Sequence, residues 1–220
     1  MDSIDDNLME KLAQKKSSST ERADSWEVVP MSIAHRPTAI SAKISIIIPV
    51  KNAGLQFRQL MSKIRSQRKV SDVEIIVVDS ASSDDSTTIA GEFGATVLHI
   101  PPHEFNHGGT RNLGAGAATG DYLVFTVQDA MPASDYWLYN MVCPFLEYSG
   151  LAALSARQIV RPEADLYSLW SADAMSRLLN FDRDVIYRRS PGCTSKGLDH
   201  LDNAAKRRLT FFDDVSSCIR

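Results

Sequence analysis

Four short clusters hold side chains able to do chemistry: Lys51-Asn52-Ala53-Gly54, Asp79-Ser80, the Gly108 to Gly114 stretch carrying Arg111, and Gln128-Asp129-Ala130. Lys51 follows the apolar run Ile44 to Val50, and Asp79 closes the run Val73 to Val78. Strands buried on both faces of a parallel sheet read as near-continuous Ile/Val runs, and ligands bind beyond their carboxyl ends. A carboxylate there can accept a hydrogen bond from a base ring N–H, while the amides of the following loop face the rest of a nucleotide. Arg111 falls in the first turn of a glycine-lined helix start, able to approach and pair with a diphosphate. The alternative is a reading in which the glycines only permit tight helix-on-sheet packing and Arg111 is a surface charge. The cluster lacks the G-x-G-x-x-G order and does not follow the first strand directly, which weighs against a dinucleotide cofactor.

Asp129 lies just past a further apolar run, and Pro132 fixes the exit of its loop. A lone carboxylate at a sheet edge suits Mg²⁺ or Mn²⁺ when a diphosphate and water supply the other oxygens. Taken alone, Asp129 reads as a helix cap or turn residue. His103, Glu104 and His107 have zinc-like spacing only if helical, and Pro101-Pro102 before them and Gly108-Gly109 behind them argue for a loop. His107 is left to shape a ligand pocket or to satisfy backbone groups. Neither a nucleophile elbow nor a Walker loop is present, which excludes serine hydrolases and P-loop NTPases.

The elements that must position these residues follow from periodicity. Strand 44–50 precedes a helix face of Phe57, Leu60, Met61 and Ile64, spaced i, i+3, i+4, i+7. Strand 73–78 precedes Ser82-Ser83-Asp84-Asp85, whose oxygens can cap a helix carrying Ile89, Ala90 and Phe93, with Gly94 as its stop. Ala95 to Ile100 predicts a third strand, Thr110 to Thr119 a helix ended by Gly120, and Tyr122 to Val127 a fourth strand. A last helix carries Trp137, Leu138, Met141, Val142 and Phe145, with Pro144 expected to bend or shorten it, and Leu151 to Leu154 offers another strand. Strands alternating with helices imply βαβ crossovers: an α/β fold with a mainly parallel sheet and helices on both faces. Residues 1–42, polar and without sustained period, read as a flexible arm, and 43–220 as the domain. Beyond Ser155 a loop-and-helix cover over the carboxyl edge is expected from about residue 156.

The chain has 220 residues, 44% of them hydrophobic, enough for one packed core. A net charge of -3 provides no basic field, which excludes nucleic acid as an expected partner. Cys143, Cys193 and Cys218 share no paired spacing, and the N-terminus shows no apolar signal stretch, pointing to the cytoplasm. No run approaches about 18 apolar residues, so no membrane span is expected. Peripheral contact at the inner face of a plasma membrane stays open, as does the oligomeric state.

Together these segments resemble the family 2 glycosyltransferases of the GT-A fold, within them the bacterial rhamnosyltransferase branch. The matching pieces are Ile46 to Asn52, Ile75 to Ser80 with Ser83-Asp84, Phe105 to Asn112, Gln128-Asp129-Ala130 and Ala156-Arg157-Gln158. The resemblance implies a GT-A-like Rossmann-type sheet binding a dTDP- or UDP-linked sugar, with Pro49, Val50, Lys51 and Asn52 bordering the base. Asp79, with Ser80 beside it, would hydrogen-bond the uracil or thymine ring, Arg111 would lie near the diphosphate, and Gln128-Asp129 would match the metal motif. Asp129 takes the last acidic position of that D-x-D motif; Val127 occupies the first, as a trait of the branch. The implied activity is inverting transfer of a sugar, rhamnose, to a glycan or lipid-linked acceptor, assisted by Mg²⁺ or Mn²⁺. The resemblance leaves the general base unassigned: the family's acidic motif follows a segment like Phe211 to Arg220, where the chain stops, and Asp213 and Asp214 are the acids within it. A shortened form is therefore expected, and the competing function is a nucleotide-sugar-binding module without catalysis.

Overall fold

In chain order the elements are strand β1 (Trp26–Pro30), β2 (Ile44–Val50), helix α1 (Gly54–Arg65), β3 (Val73–Asp79), α2 (Ser86–Glu92), β4 (Thr96–His99), α3 (His107–Ala117) and β5 (Tyr122–Thr126), then α4 (Trp137–Glu147), β6 (Ala153–Ser155), β7 (Val185–Arg189) and β8 (Ser216–Ile219). They come from a computed structural model that describes residues 26–34, 36–156, 159, 165–167, 169–170, 185–189 and 216–220. The chain divides into two units, 1–31 with 183–210 and 32–182 with 211–220. In the first, β1 and β7 pair antiparallel, Trp26 opposite Arg189 and Pro30 opposite Val185. The stretch read as an arm thus contains a strand, and in the second unit Ile40 within it is buried, its N–H donating to the Lys69 carbonyl at 2.7 Å.

The second unit is built on a six-stranded sheet of order β4-β3-β2-β5-β8-β6. Strands β4, β3, β2 and β5 run parallel, and β8 runs antiparallel between β5 and β6. The expected α/β class and parallel centre are present. Strand β8 was not foreseen, because Ser216-Ser217-Cys218-Ile219 carries little apolar pattern, although Ser217 and Cys218 are fully buried. Ile44, Ile46, Ile47, Ile48 and Val77 are 0% exposed, as burial on both sheet faces requires.

The helices follow their apolar faces. Phe57, Leu60, Met61 and Ile64 of α1 are buried as their spacing predicts, and Gly94, at φ 65°, follows the end of α2 in the left-handed region. Helix α4 runs through Pro144 to Glu147 and is not shortened by it. Helix α3 starts at His107, earlier than the expected Thr110, because the Asn106 side chain accepts from the Gly109 N–H at 2.6 Å. Gly114 lets α3 lie close on the sheet: a Cβ there would stand 2.5 Å from Ile47 Cγ2.

At the amino edge, Glu74 joins β3 to its neighbours. Its carboxylate accepts from the Ser45 hydroxyl, from the Thr119 N–H at 2.9 Å and hydroxyl at 2.9 Å, and pairs with Lys43 at 3.3 Å. Burial alone would raise this carboxyl, but the hydrogen bonds from Ser45, Thr119 and Lys43 bring it from 4.5 down to about 2. A depressed carboxylate contributes stability above its unfolded value and loses it as pH falls toward the folded one. Glu74→Gln is expected to cost about 2 kcal/mol near neutral pH, allowing for partial solvent screening, with the deficit shrinking below pH 4.5 toward about 2. Urea unfolding of both proteins at several pH values checks this; a deficit independent of pH would contradict it.

Candidate functional site at the carboxyl edge

Because β2, β3, β4 and β5 are parallel, their carboxyl ends meet on one edge. The register sets Val50 beside Asp79 and Asp79 beside His99. Asp79 is 2% exposed and both its oxygens accept from the Ser82 N–H at 3.2 Å, while His99 Nδ1 stands 3.4 Å from Oδ2. A carboxylate has about four acceptor sites, so these contacts do not exhaust it. Ser80 and Val50 lie beneath the rim: both are buried, and the Ser80 N–H and hydroxyl donate to the Val50 carbonyl at 3.0 and 3.2 Å. His99 escaped sequence reasoning, since only the β3–β4 register brings it to Asp79.

The loops after β2 and β3 brace each other. The N–H groups of Asn52, Ala53 and Gly54 donate to Ser82 Oγ, Ser86 Oγ and Asp84 Oδ2, each at 2.9 Å. In return the Ser83 N–H donates to Asn52 Oδ1 at 2.8 Å. One expectation needs correction. The amides of Ser82, Ser83 and Ser86 are taken by Asp79, Asn52 and Asp84 rather than facing a ligand. Asp85, at the N-cap of α2, makes no side-chain cap bond, and Asp84 serves two helix starts, its Oδ1 accepting from the Ser86 N–H of α2 at 3.0 Å and its Oδ2 from the Gly54 N–H of α1. The Ser86 hydroxyl, with the Gly54 and Ser86 amides, holds the Asp84 carboxyl below its ordinary value. Asn52 and Ala81 both adopt left-handed backbone, at φ 48° and 61°; for Ala this conformation costs about 1–2 kcal/mol.

Lys51 links the two loops to β5. Its ammonium donates to the Ser80 carbonyl at 2.8 Å and to that of Ala81, so it is engaged with backbone. Its own N–H donates to Gln128 Oε1 at 2.7 Å, and Gln128 Nε2 donates to its carbonyl at 3.1 Å. Asp129 is exposed in the following turn, which the Ala130 N–H closes on the Val127 carbonyl at 3.2 Å. β3 and β5 flank β2, so the Asp79 and Gln128 positions lie two strand spacings apart, about 10 Å. Pro49, half-buried, lies one residue before Val50 on the same strand end.

Arg111 is 8% exposed, and its Nη1 donates to the His107 carbonyl at 2.9 Å, so it is not a surface charge. Gly114 serves close packing, whereas Gly108 and Gly109 occupy the first turn of α3 beside Asn106. His103 and Glu104 lie in a 3-10 turn and His107 in α3, its ring 5.2 Å from that of Phe105. No group of three or more His, Cys, Asp or Glu able to hold a metal occurs among the described residues. The carboxylate at Asp129 therefore fits a divalent cation only where diphosphate oxygens and water complete the coordination. Arg157, Gln158, Cys193, Asp213, Asp214 and most of the expected cover beyond Ser155 lie outside the described residues.

Residues 45–196 match the family described as Glycosyl transferase family 2. The chain is 34% identical over 179 residues to the O-antigen chain rhamnosyltransferase RfbN of Salmonella typhimurium, covering 79% of this chain and 55% of that protein. It is 32% identical over 123 residues to the O-antigen chain rhamnosyltransferase WbaN of Salmonella anatum, covering 55% of this chain and 38% of that one. A structure of the mannosyltransferase PcManGT from Pyrobaculum calidifontis, in complex with GDP-Man and Mn²⁺, is similar at a TM-score of 0.49 and 22% identity, over 74% of this chain and 45% of that chain. The chain thus spans about half the length of the first of these relatives and less of the others.

Proposed function

Because the chain belongs to glycosyl transferase family 2, we propose that its carboxyl edge binds a nucleoside-diphosphate sugar and that the protein transfers this sugar to an acceptor hydroxyl. The observation that carries the proposal is the common rung: Val50 pairs with Asp79 on one side, and Lys51 is held to Gln128, next to Asp129, on the other. A base edge and a diphosphate can then meet a carboxylate each. Asp79 accepts the pyrimidine ring N–H, with Pro49 and Asn52 bordering the base, and Arg111 favours the diphosphate by its charge.

Asp129 would hold Mg²⁺ or Mn²⁺, which would neutralise charge on the departing nucleoside diphosphate. Inversion follows from a single displacement at the anomeric carbon, in which a general base takes the proton of the attacking hydroxyl. No residue named here is assigned as that base. Rhamnose, carried by dTDP or UDP, is the proposed sugar, with support from two relatives named as O-antigen chain rhamnosyltransferases. The proposed acceptor is a glycan or a lipid-linked glycan. We propose peripheral contact with a membrane where the acceptor is lipid-linked; among the described residues no helix is long and apolar enough to cross one.

Calorimetric titration with dTDP, UDP and GDP, with and without Mn²⁺, tests donor recognition. Saturable pyrimidine binding tightened by Mn²⁺ is expected, and equal binding of GDP would contradict the role of Asp79. Transfer of labelled rhamnose to a glycan acceptor would separate an enzyme from a binding module.

A further inference from the structure

The parallel ladder between β2 and β5 stops early, and the reason lies in the sequence. Ile44 and Val50 turn their backbone groups toward β3, since the Ile44 N–H donates to Asp72 and the Val50 carbonyl accepts from Ser80. Alternation along the strand then turns Ser45, Ile47 and Pro49 toward β5. Paired residues with β5 end at Ile47 opposite Phe125, and Pro49 has no N–H with which to continue. The next residue facing that side is Lys51, whose N–H and carbonyl are both taken by the side-chain amide of Gln128. The amide accepts at its oxygen and donates at its nitrogen, as the backbone of a neighbouring strand would.

We propose that Gln128 is a positioning residue: its amide closes the ladder that Pro49 interrupts and thereby fixes the adjoining turn, and Asp129 in it, relative to the pyrimidine end of the rim. This rests on the functional reading above. Lys51 extends the tie, because its ammonium holds the Ser80 and Ala81 carbonyls of the loop that closes on Asp79. Gln128 and Lys51 therefore set the spacing between two ligand-binding carboxylates without contacting the ligand through the groups that make the tie.

The variant Gln128→Ala distinguishes this from direct contact. Hydrogen exchange should show the Lys51 N–H losing protection, independent of any nucleotide. Affinity for dTDP with Mn²⁺ should fall about tenfold, while affinity for dTDP without metal stays within about twofold. Gln128→Glu, which keeps the acceptor but not the donor, should also lose the metal-dependent gain. An equal loss with and without Mn²⁺ would overturn the proposal in favour of direct ligand contact, and an unchanged Mn²⁺ effect would overturn the positioning role. If the unaltered protein binds neither dTDP nor UDP, the functional reading fails and the proposal with it. If it binds them and only the exchange result is negative, the proposal alone fails.

Discussion

Asp129→Ala is expected to lower the affinity for dTDP in the presence of Mn²⁺ by about 100-fold and to leave the metal-free affinity nearly unchanged. The magnitude follows from the donor set. With no three-ligand cluster among the described residues, this carboxylate is the protein's assigned contribution to the cation, and even partners that only support a ligand change metal affinity by about 10–100-fold. The residue is exposed in a turn after β5, so its removal opens no cavity. Titration of the variant with dTDP at fixed Mn²⁺ gives the answer. Unchanged affinity would remove the metal from Asp129.

Asp79→Asn is expected to weaken dTDP and UDP binding by about 10–100-fold, corresponding to loss of a hydrogen bond to a charged acceptor, with purine nucleotides little affected. Asparagine retains an oxygen for the Ser82 N–H, so the turn after β3 should survive. What changes is the polarity of the remaining edge, which can present N–H where a ring N–H requires an acceptor. Asp79 is 2% exposed, and both its oxygens already face the Ser82 N–H, so the orientation of the new amide matters. Retained pyrimidine preference in the variant would reduce Asp79 to a turn-forming residue.

Local periodicity explains what was legible beforehand. The Ile/Val runs of β2 and β3, the buried face of α1 and the stop at Gly94 are properties of neighbouring residues, and they stand where the pattern put them. Connections between distant residues were less legible. Asp84 looks like a cap for its own helix and does accept from the Ser86 N–H, but its second oxygen holds Gly54 at another helix start, 30 residues away. Gln128 reads locally as a ligand contact, and nothing nearby in sequence announces that the Lys51 backbone, 77 residues away, bonds both ends of its amide. Strand β8 has no signal of its own, being buried because β5 and β6 flank it. His99 reaches Asp79 only through strand register. Polar side chains that satisfy backbone groups at a sheet edge carry the same letters as those that bind ligands, and topology decides between them.

A crystal structure of the protein with dTDP and Mn²⁺, using the anomalous signal of manganese, tests the shared rim most directly. The account predicts one nucleotide lying across the end of β2, its ring N–H on Asp79 and its diphosphate oxygens sharing manganese with Asp129. Nucleotide bound away from this edge, or manganese held without Asp129, would contradict it.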